Sequence, residues 1–349
     1  MFVSLLIIAF VLAFWAAFQL QIITIFPNMG LWSVHNFEPK RWLLRLASAN
    51  ALVATYWQGD VPNWALGFII LTVFLLFMSF IIDNTKGFKA LDPQFVTHYD
   101  SSPLADDTIV VGIELSDQTA IYYPIEQLVI PRHMINDTID DVPLLLSFCA
   151  ACRSCMAYNP VVDGQRLTFQ VVAVWRRNMI MRDKQTGTLW QQATGEALYG
   201  KLKGAQLDYL GAQQMTKQDW LAAHPNSLHG AEASHAPKGR IPQHILHRML
   251  KITNRFMAKG YTDIGNELPL RETVFGITLN GVSVAYPTSE LSKKPNFTHQ
   301  VGNQNLTIAY NVKTNQMSIK TEDGKNLPTQ SHWWFGWKEF HPFTEIWRV

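Results

Sequence analysis

The chain is poor in charge. Asp, Glu, Lys and Arg make up 16% of its 349 residues and hydrophobic residues 48%, whereas roughly 25% of an average soluble domain is charged. The 29 basic and 27 acidic residues give a net charge of +2. They form no basic block, which excludes the electrostatic footprint of a nucleic-acid-binding protein. Cysteine is nearly absent, with three residues in one short run, Cys149-Ala-Ala-Cys152-Arg-Ser-Cys155. An odd count excludes a disulfide scaffold, since at most one intramolecular pair can form. The sequence also lacks a Gly-x-Ser-x-Gly elbow, a phosphate-binding glycine loop and a His-Glu-x2-His pair, so no common hydrolase, nucleotide-binding or zinc-peptidase pattern is present. Nothing in it specifies a reaction.

What is abundant is apolar length. Phe2 to Phe26 is uncharged, and at about 1.5 Å per residue some 20 residues cross a hydrocarbon core. A cleaved signal peptide would need a basic flank and a shorter apolar core, so a retained helix is expected over 1–26. A second span is expected over 63–83, with Trp64 as an interfacial anchor. Between them Pro39-Lys40-Arg41-Trp42 and Arg45 interrupt the apolar pattern. The 27–62 stretch therefore reads as a loop holding an interfacial amphipathic helix, or one covering the two spans. Lys40, Arg41 and Arg45 outnumber Lys86 and Lys89 by one, and the positive-inside bias then puts that loop in the cytoplasm. The expected setting is a bacterial inner membrane with the large C-terminal part in the periplasm.

After a linker at 84–104 the pattern is that of a β protein. Asp163-Gly164, Asn280-Gly281 and Asp323-Gly324 sit beside alternating apolar runs, the short-range signal of hairpins whose turns need positive φ. Helices are expected at 216–223, with Thr216 as N-cap, and at 241–259, where Ile245, Met249, Ile252 and Phe256 keep helical spacing. One unit occurs twice. Thr108 to Pro124 followed by Leu128 matches Thr273 to Pro287 followed by Leu291, each reading strand, turn, strand, Tyr-Pro, short helix. The continuations 166–174 and 177–182 are similar to 306–311 and 317–321. The fold class is mainly β (α+β): an internally duplicated β-meander domain with a first repeat over 105–225, a helical insertion over 226–270 and a second repeat over 271–349, preceded by two transmembrane helices.

Several pieces together carry a family resemblance. They are Ala120-Ile-Tyr-Tyr-Pro124, His133-Met-Ile-Asn-Asp137, Phe148-Cys-Ala-Ala-Cys152, Asn178-Met-Ile-Met-Arg-Asp183, Thr188-Leu-Trp190-Gln-Gln-Ala-Thr-Gly195, Leu268-Pro-Leu-Arg-Glu272 and Trp334-Phe-Gly-Trp337-Lys-Glu-Phe340-His-Pro342. As a set they resemble the uncharacterised bacterial and archaeal family called domain of unknown function 3179, from about residue 105 to the end. The resemblance implies an extracytoplasmic setting and no established activity. Where the family usually reads Cys-Pro-Leu-Cys-Gly-Thr, this chain has Ala150, Arg153 and an additional Cys155. Its His133 is displaced by one place.

The cysteine run admits several chemistries. Thiolates are soft ligands that suit Cu(I), Zn or an iron–sulfur centre. Met156 adjoins the run, Met134, Met179 and Met181 fall on neighbouring expected strands, and His133 lies upstream. Cys149, Cys152, Cys155, Met156 and His133 are thus the candidate metal ligands, with copper favoured and zinc or no metal as alternatives. The spacing to Asn159-Pro160 copies a ferredoxin run, but a cluster needs a further cysteine that the sequence does not contain. A reversible disulfide, with Arg153 lowering a nearby thiol pKa, is a second chemistry. A structural turn with buried thiols is a third. His244 and His247 share a helix face and form a weaker metal pair. Asn136, Asp137, Asn178, Asp183, Trp190 and Trp337 are candidate pocket residues, although turn, cap and core roles account for them equally. The expected function is a metal-handling or electron-transfer accessory held in a lipid bilayer. The alternatives are a docking subunit of a membrane complex, whose other subunits would be its partners, and a thiol-disulfide redox protein.

Overall fold

The computed structural model describes residues 1–59, 61–115, 119–237, 245, 248 and 257–349. Three helices open the chain: α1 (Phe2–Ile25), α2 (Phe37–Tyr56) and α3 (Asn63–Ile81). Helices α1 and α3 are long and apolar enough to cross a membrane, with mean hydropathies of 2.4 and 2.5. Alanines line the buried face of α1, at 9, 13, 16 and 17. Small side chains there let backbones approach, and Ser48 Oγ of α2 donates to the Ala9 carbonyl at 2.7 Å. Phe2 meets Trp64 and Phe10 meets Phe68, so α1 and α3 run in the same direction. Helix α2 runs back between their ends, with Arg41 on Asp83 at 2.9 Å and Arg45 on Ser79 Oγ at 2.8 Å.

The β region is a duplication that extends well past the matching hairpins. In the first copy β2 (Ile109–Glu114) and β3 (Ala120–Pro124) form a hairpin, and a helical turn follows at Ile125–Val129. Then come β4 (Met134–Ile139), β5 (Val142–Cys149) and β6 (Ser154–Asn159), a meander completed by β13 (Asp208–Tyr209). β14 (Gln213–Thr216) returns antiparallel to β2, the helix Lys217–Ala223 follows, and β15 (Leu228–Glu232) pairs parallel to β3. β1 (Val96–Tyr99) adds to the outer edge of β15. The second copy repeats each step from β2 to β15, without a counterpart of β1. β16 (Thr273–Leu279) and β17 (Val282–Pro287) form the hairpin, with a helical turn at Thr288–Leu291. β18 (Asn296–Val301), β19 (Gln304–Asn311), β20 (Gln316–Thr321) and β21 (Asn326–Leu327) form the meander. β22 (Gln330–Trp333) returns to β16, the helix Trp334–Phe340 follows, and β23 (Glu345–Ile346) pairs parallel to β17.

The short helix is locked the same way in both copies. A Cβ on Gly112 would lie 2.2 Å from the Trp220 ring, and one on Gly276 would lie 2.2 Å from Trp337. Glycine at these positions lets a tryptophan lie flat on the strand. Each indole then packs on a histidine four residues later, His224 tilted at 4.1 Å and His341 stacked at 3.7 Å. Each donates its Nε1–H to a hydroxyl seven residues later, Ser227 at 2.7 Å and Thr344 at 2.9 Å.

The first copy carries an insertion between β6 and β13. It holds a small hairpin, β7 (Val161–Val162) and β8 (Gln165–Arg166), and a four-stranded sheet of β9 (Phe169–Trp175), β10 (Asn178–Asp183), β11 (Leu189–Gln191) and β12 (Ala197–Tyr199). The counterparts of β19 and β20 are therefore β5 and β6. The 166–174 and 177–182 stretches, whose pattern resembles strands of the second copy, belong to the insertion. Alternating apolar strands look alike wherever they occur, and only the strand order separates them.

The inserted sheet is the seat of the helix bundle. Leu20, Ile23, Val34 and Phe37 pack with Val172, Ala173, Ile180 and Leu189. Thr24 Oγ1 donates to the Val174 carbonyl and Trp175 Nε1 to the Pro27 carbonyl, both at 2.9 Å. Residues after α3 are tied down as well. Asp83 caps the turn Asn84–Gly87, Asn84 Nδ2 donates to the Val172 carbonyl at 2.8 Å, and Leu91 bridges to Ile135. Residues 84–91 of the stretch expected as a linker at 84–104 pack against β4 and β9, and the stretch expected as a loop opposite the β domain lies against it. The helix expected at 241–259 falls almost wholly outside the described residues, as do His244 and His247.

Candidate functional site

The β5–β6 hairpin turns through four residues, Ala150 to Arg153, with Cys149 opposite Ser154 and Phe148 opposite Cys155. Side chains alternate between the faces of a strand, and the three thiols divide accordingly. Cys149 and Cys152 enter the core built from Met134, Met156, Met179, Met181, Trp190 and Trp337, whereas Cys155 enters the other core, with Phe148 and Tyr123. All three are free and buried. His133 lies on the Cys155 face, between Phe88 at 4.3 Å and Phe148 at 5.9 Å. Burial pushes its pKa down to about 4. The structure thus brings Cys149 and Cys152 together, with Met156 in the same core, and sets Cys155 and His133 apart from them.

The two converging sulfurs sit in a nest of donors. The backbone N–H groups of Cys152 and Ala151 face the Cys149 sulfur, the Cys149 thiol contacts Cys152, and His332 lies beside Cys152. Asn178 Nδ2 donates to Cys152 Sγ at 3.1 Å, and Ser154 Oγ is 3.2 Å from it. Burial alone would raise the Cys152 thiol, but the Cys149 thiol, the neighbouring His332 and the contact with Ser154 hold it well below the ordinary thiol range. Burial raises Cys149 well above that range and Cys155 above it too, the latter without a compensating donor. Hydrogen bonds to a charged form favour it, so Cys152 is the more acidic of the two thiols.

A buried amide network holds these donors. Asn178 Nδ2 also donates to Gln192 Oε1 at 2.8 Å, Ser154 Oγ donates to the same oxygen at 2.9 Å, and Gln191 Nε2 donates to Asn178 Oδ1 at 2.8 Å. Asn178 and Gln192 come from the insertion, Cys149 to Ser154 from the first copy, and His332 from β22 of the second. Gly336 of the following helix closes over the turn, where a Cβ would meet Cys152 Cβ at 2.6 Å. The Trp333 N–H donates to the Cys152 carbonyl at 3.0 Å. Three modules meet at this dithiol, and Ala150 and Ala151 of the turn are half-buried.

The remaining candidates hold the fold. Asn136 clamps β4 to β9, accepting the Phe169 N–H at 2.7 Å and donating to the Phe169 carbonyl at 3.1 Å. Asp183 closes the β10–β11 turn through the Thr186 N–H at 2.5 Å and Trp190 Nε1 at 2.9 Å. Asp137 accepts from Tyr123 Oη at 2.5 Å and pairs with His98 Nε2 at 2.9 Å, and that hydrogen bond raises the His98 pKa. Trp190 and Trp337 are core. Arg153, expected to lower a thiol pKa, is exposed with φ of 57°, and His332 takes that part. No group of three or more His, Cys, Asp or Glu among the described residues is placed to hold a metal. Sequence reading missed Ser154, Gln191, Gln192 and His332 as site residues. Their only signal is closeness to Cys155, Trp190 and the aromatic tail.

No curated protein and no solved structure is significantly similar to the chain. Residues 87–326, more than half of the chain, match the family model described as "Protein of unknown function (DUF3179)". The matched span holds the Cys149–Cys152 turn, the insertion and the second hairpin and meander, and ends before His332. The chain belongs to the DUF3179 family.

Proposed function

We propose that the protein is a membrane-anchored soft-metal carrier that holds Cu(I) on Cys149 and Cys152, in a bacterial inner membrane. The observation that carries this reading is the convergence of two thiols, one on the turn and one on the strand residue before it, where backbone N–H groups face sulfur, inside a methionine-rich core. Soft thiolate and thioether ligands select Cu(I), which accepts few ligands, whereas structural zinc asks for four. Backbone donors around a sulfur form an anion-holding nest. The ligand set is narrower than the sequence suggested: Cys149 and Cys152, with Met156 on the same face. Asn178 and Ser154 orient Cys152, and the apolar shell keeps water and larger thiols out.

The test is anaerobic titration of the detergent-solubilised chain with Cu(I) against a chromophoric chelator. One equivalent should bind. Cys149→Ser and Cys152→Ser should each abolish it, and Cys155→Ser should leave it intact. A chain with no Cu(I) affinity would sink the reading. The same donors also suit a reversible dithiol, and a two-electron redox couple lost in Cys152→Ser without metal binding would move the assignment to thiol exchange.

A further inference from the structure

Helix α2 is built inside out. Arg41, Arg45, Ser48 and Thr55 are buried, while Trp42, Leu43, Leu46, Val53 and Tyr56 are among its exposed side chains. A helix covering a water-soluble domain turns its polar face outward. Here the charges are spent inside the bundle: Arg41 pairs with Asp83, and the Arg45 guanidinium holds Ser79 and lies 3.8 Å from the centre of the Phe80 ring. Intramembrane charges characteristically face the bundle interior and pair there. The outer face of α2 continues the apolar belt of α3, where Phe68, Ile70, Phe74 and Phe77 are exposed. Its 20 residues span about 30 Å, the thickness of a hydrocarbon core.

We infer that α2 is a third membrane crossing and that the β domain faces the cytoplasm; this rests on the reading that α1 and α3 lie in a bilayer. The C-terminal ends of α1 and α3 and the N-terminal end of α2 all meet the inserted sheet. Trp175 Nε1 reaches Pro27, Arg182 pairs with Glu38 at 2.6 Å, and Asn84 reaches Val172. A two-span arrangement would put 26–37 and the β domain on opposite faces, yet they touch. The 57–62 connection must then lie on the far face. It contains no Lys or Arg, whereas Lys40, Lys86 and Lys89 flank the helix ends toward the β domain. The same bias that, with two spans, favoured a periplasmic domain by one charge now favours the cytoplasm by three to none.

Full-length variants bearing Gln58→Cys, Trp32→Cys or Lys313→Cys, with the three native cysteines replaced by serine, would be labelled in spheroplasts with a membrane-impermeant maleimide. Position 58 should label in intact spheroplasts, and positions 32 and 313 only after permeabilisation. A C-terminal green fluorescent protein fusion of the otherwise native chain should fluoresce, which guards against misfolding of the cysteine variants. Labelling of position 313 in intact spheroplasts, or of 58 only after permeabilisation, would overturn the inference while leaving membrane anchoring standing. Release of the chain by alkaline carbonate would overturn both.

Discussion

The two copies of the β unit share one skeleton and differ at one turn. The β5–β6 and β19–β20 loops are both four residues long, with the last residue left-handed, Arg153 at φ 57° and Asn315 at φ 53°. Phe148 faces Cys155 in one, and Tyr310 faces Met317 in the other. The position of Cys149 is held by Asn311, whose Oδ1 accepts the Lys313 and Thr314 N–H groups at 3.0 and 3.3 Å. Sulfur thus stands where the second copy has an ordinary Asx turn. The Asx-turn loop lies in water, with Val312 53% exposed, whereas the cysteine loop is roofed by Gly336 of the other copy and floored by the insertion. A turn becomes a centre when its neighbours bury it and supply donors.

Transplanting the thiols is the strongest way to break this comparison. Asn311→Cys combined with Thr314→Cys reproduces the spacing of two thiols in a second, exposed loop. If burial and Asn178 make the site, Cu(I) stoichiometry stays at one rather than rising to two, and adding Cys152→Ser to that variant takes it to zero. A transplanted loop that binds as tightly as the native one would show that spacing alone suffices.

The shared skeleton can be probed through its tryptophans. Trp220→Ala and Trp337→Ala each remove a fully buried indole, a loss of about 3–5 kcal/mol, measurable by chemical denaturation of the solubilised chain. Trp337→Ala should also weaken Cu(I) binding, because its helix carries Gly336 over Cys152. Trp220→Ala should leave binding unchanged. Equal effects on metal would mean that the second copy does not roof the site.

The copies also predict where acid acts. Burial lowers His133 to about 4, and burial with a contribution from His332 lowers His341 to about 4. In each case the unfolded chain, with an ordinary pKa near 6.5, binds more protons than the folded one between those values. Stability is therefore intact above about pH 6.5 and falls as pH drops toward 4, by up to about 3 kcal/mol for a fully buried group. His133→Phe should flatten that acid limb. His98 works in the opposite sense: its raised pKa gives stability that is present below about 6.5 and lost as pH rises through the folded value. An acid limb unchanged in His133→Phe would place the titration elsewhere.

Much of the fold was legible from local signals. Asn280-Gly281 and Asp163-Gly164 take positive φ at both residues, as a primed turn requires. Thr216 caps its helix by accepting the Asp219 N–H at 3.2 Å. The duplicated hairpins were readable because Gly112 and Gly276 keep their place relative to Tyr-Pro to within one residue of gap. What local signals could not reach was tertiary. The insertion between β6 and β13 displaced the apparent match of later strands. Packing that inverts the faces of α2 leaves no trace in the composition of that helix. His332 lies 180 positions beyond Cys152, and only the docking of the two copies places them side by side.

The smallest effect tests the turn itself. A non-glycine residue in the left-handed region carries a cost of roughly 1–2 kcal/mol that glycine avoids and asparagine largely escapes. Glycine also gives up some of that gain through the greater entropy of the unfolded chain. Arg153 is exposed, so Arg153→Gly removes strain without removing packing and should stabilise by about 0.5–1 kcal/mol. At the equivalent position Asn315 Oδ1 accepts the Tyr310 hydroxyl at 2.8 Å, so Asn315→Gly loses a hydrogen bond of about 1 kcal/mol and should destabilise. Opposite signs at matched positions, read from paired denaturation curves, would mean that the two loops share a backbone and divide at the side chains. Equal signs would mean that the backbone of the cysteine loop is held by the sulfurs rather than by its own conformational preference.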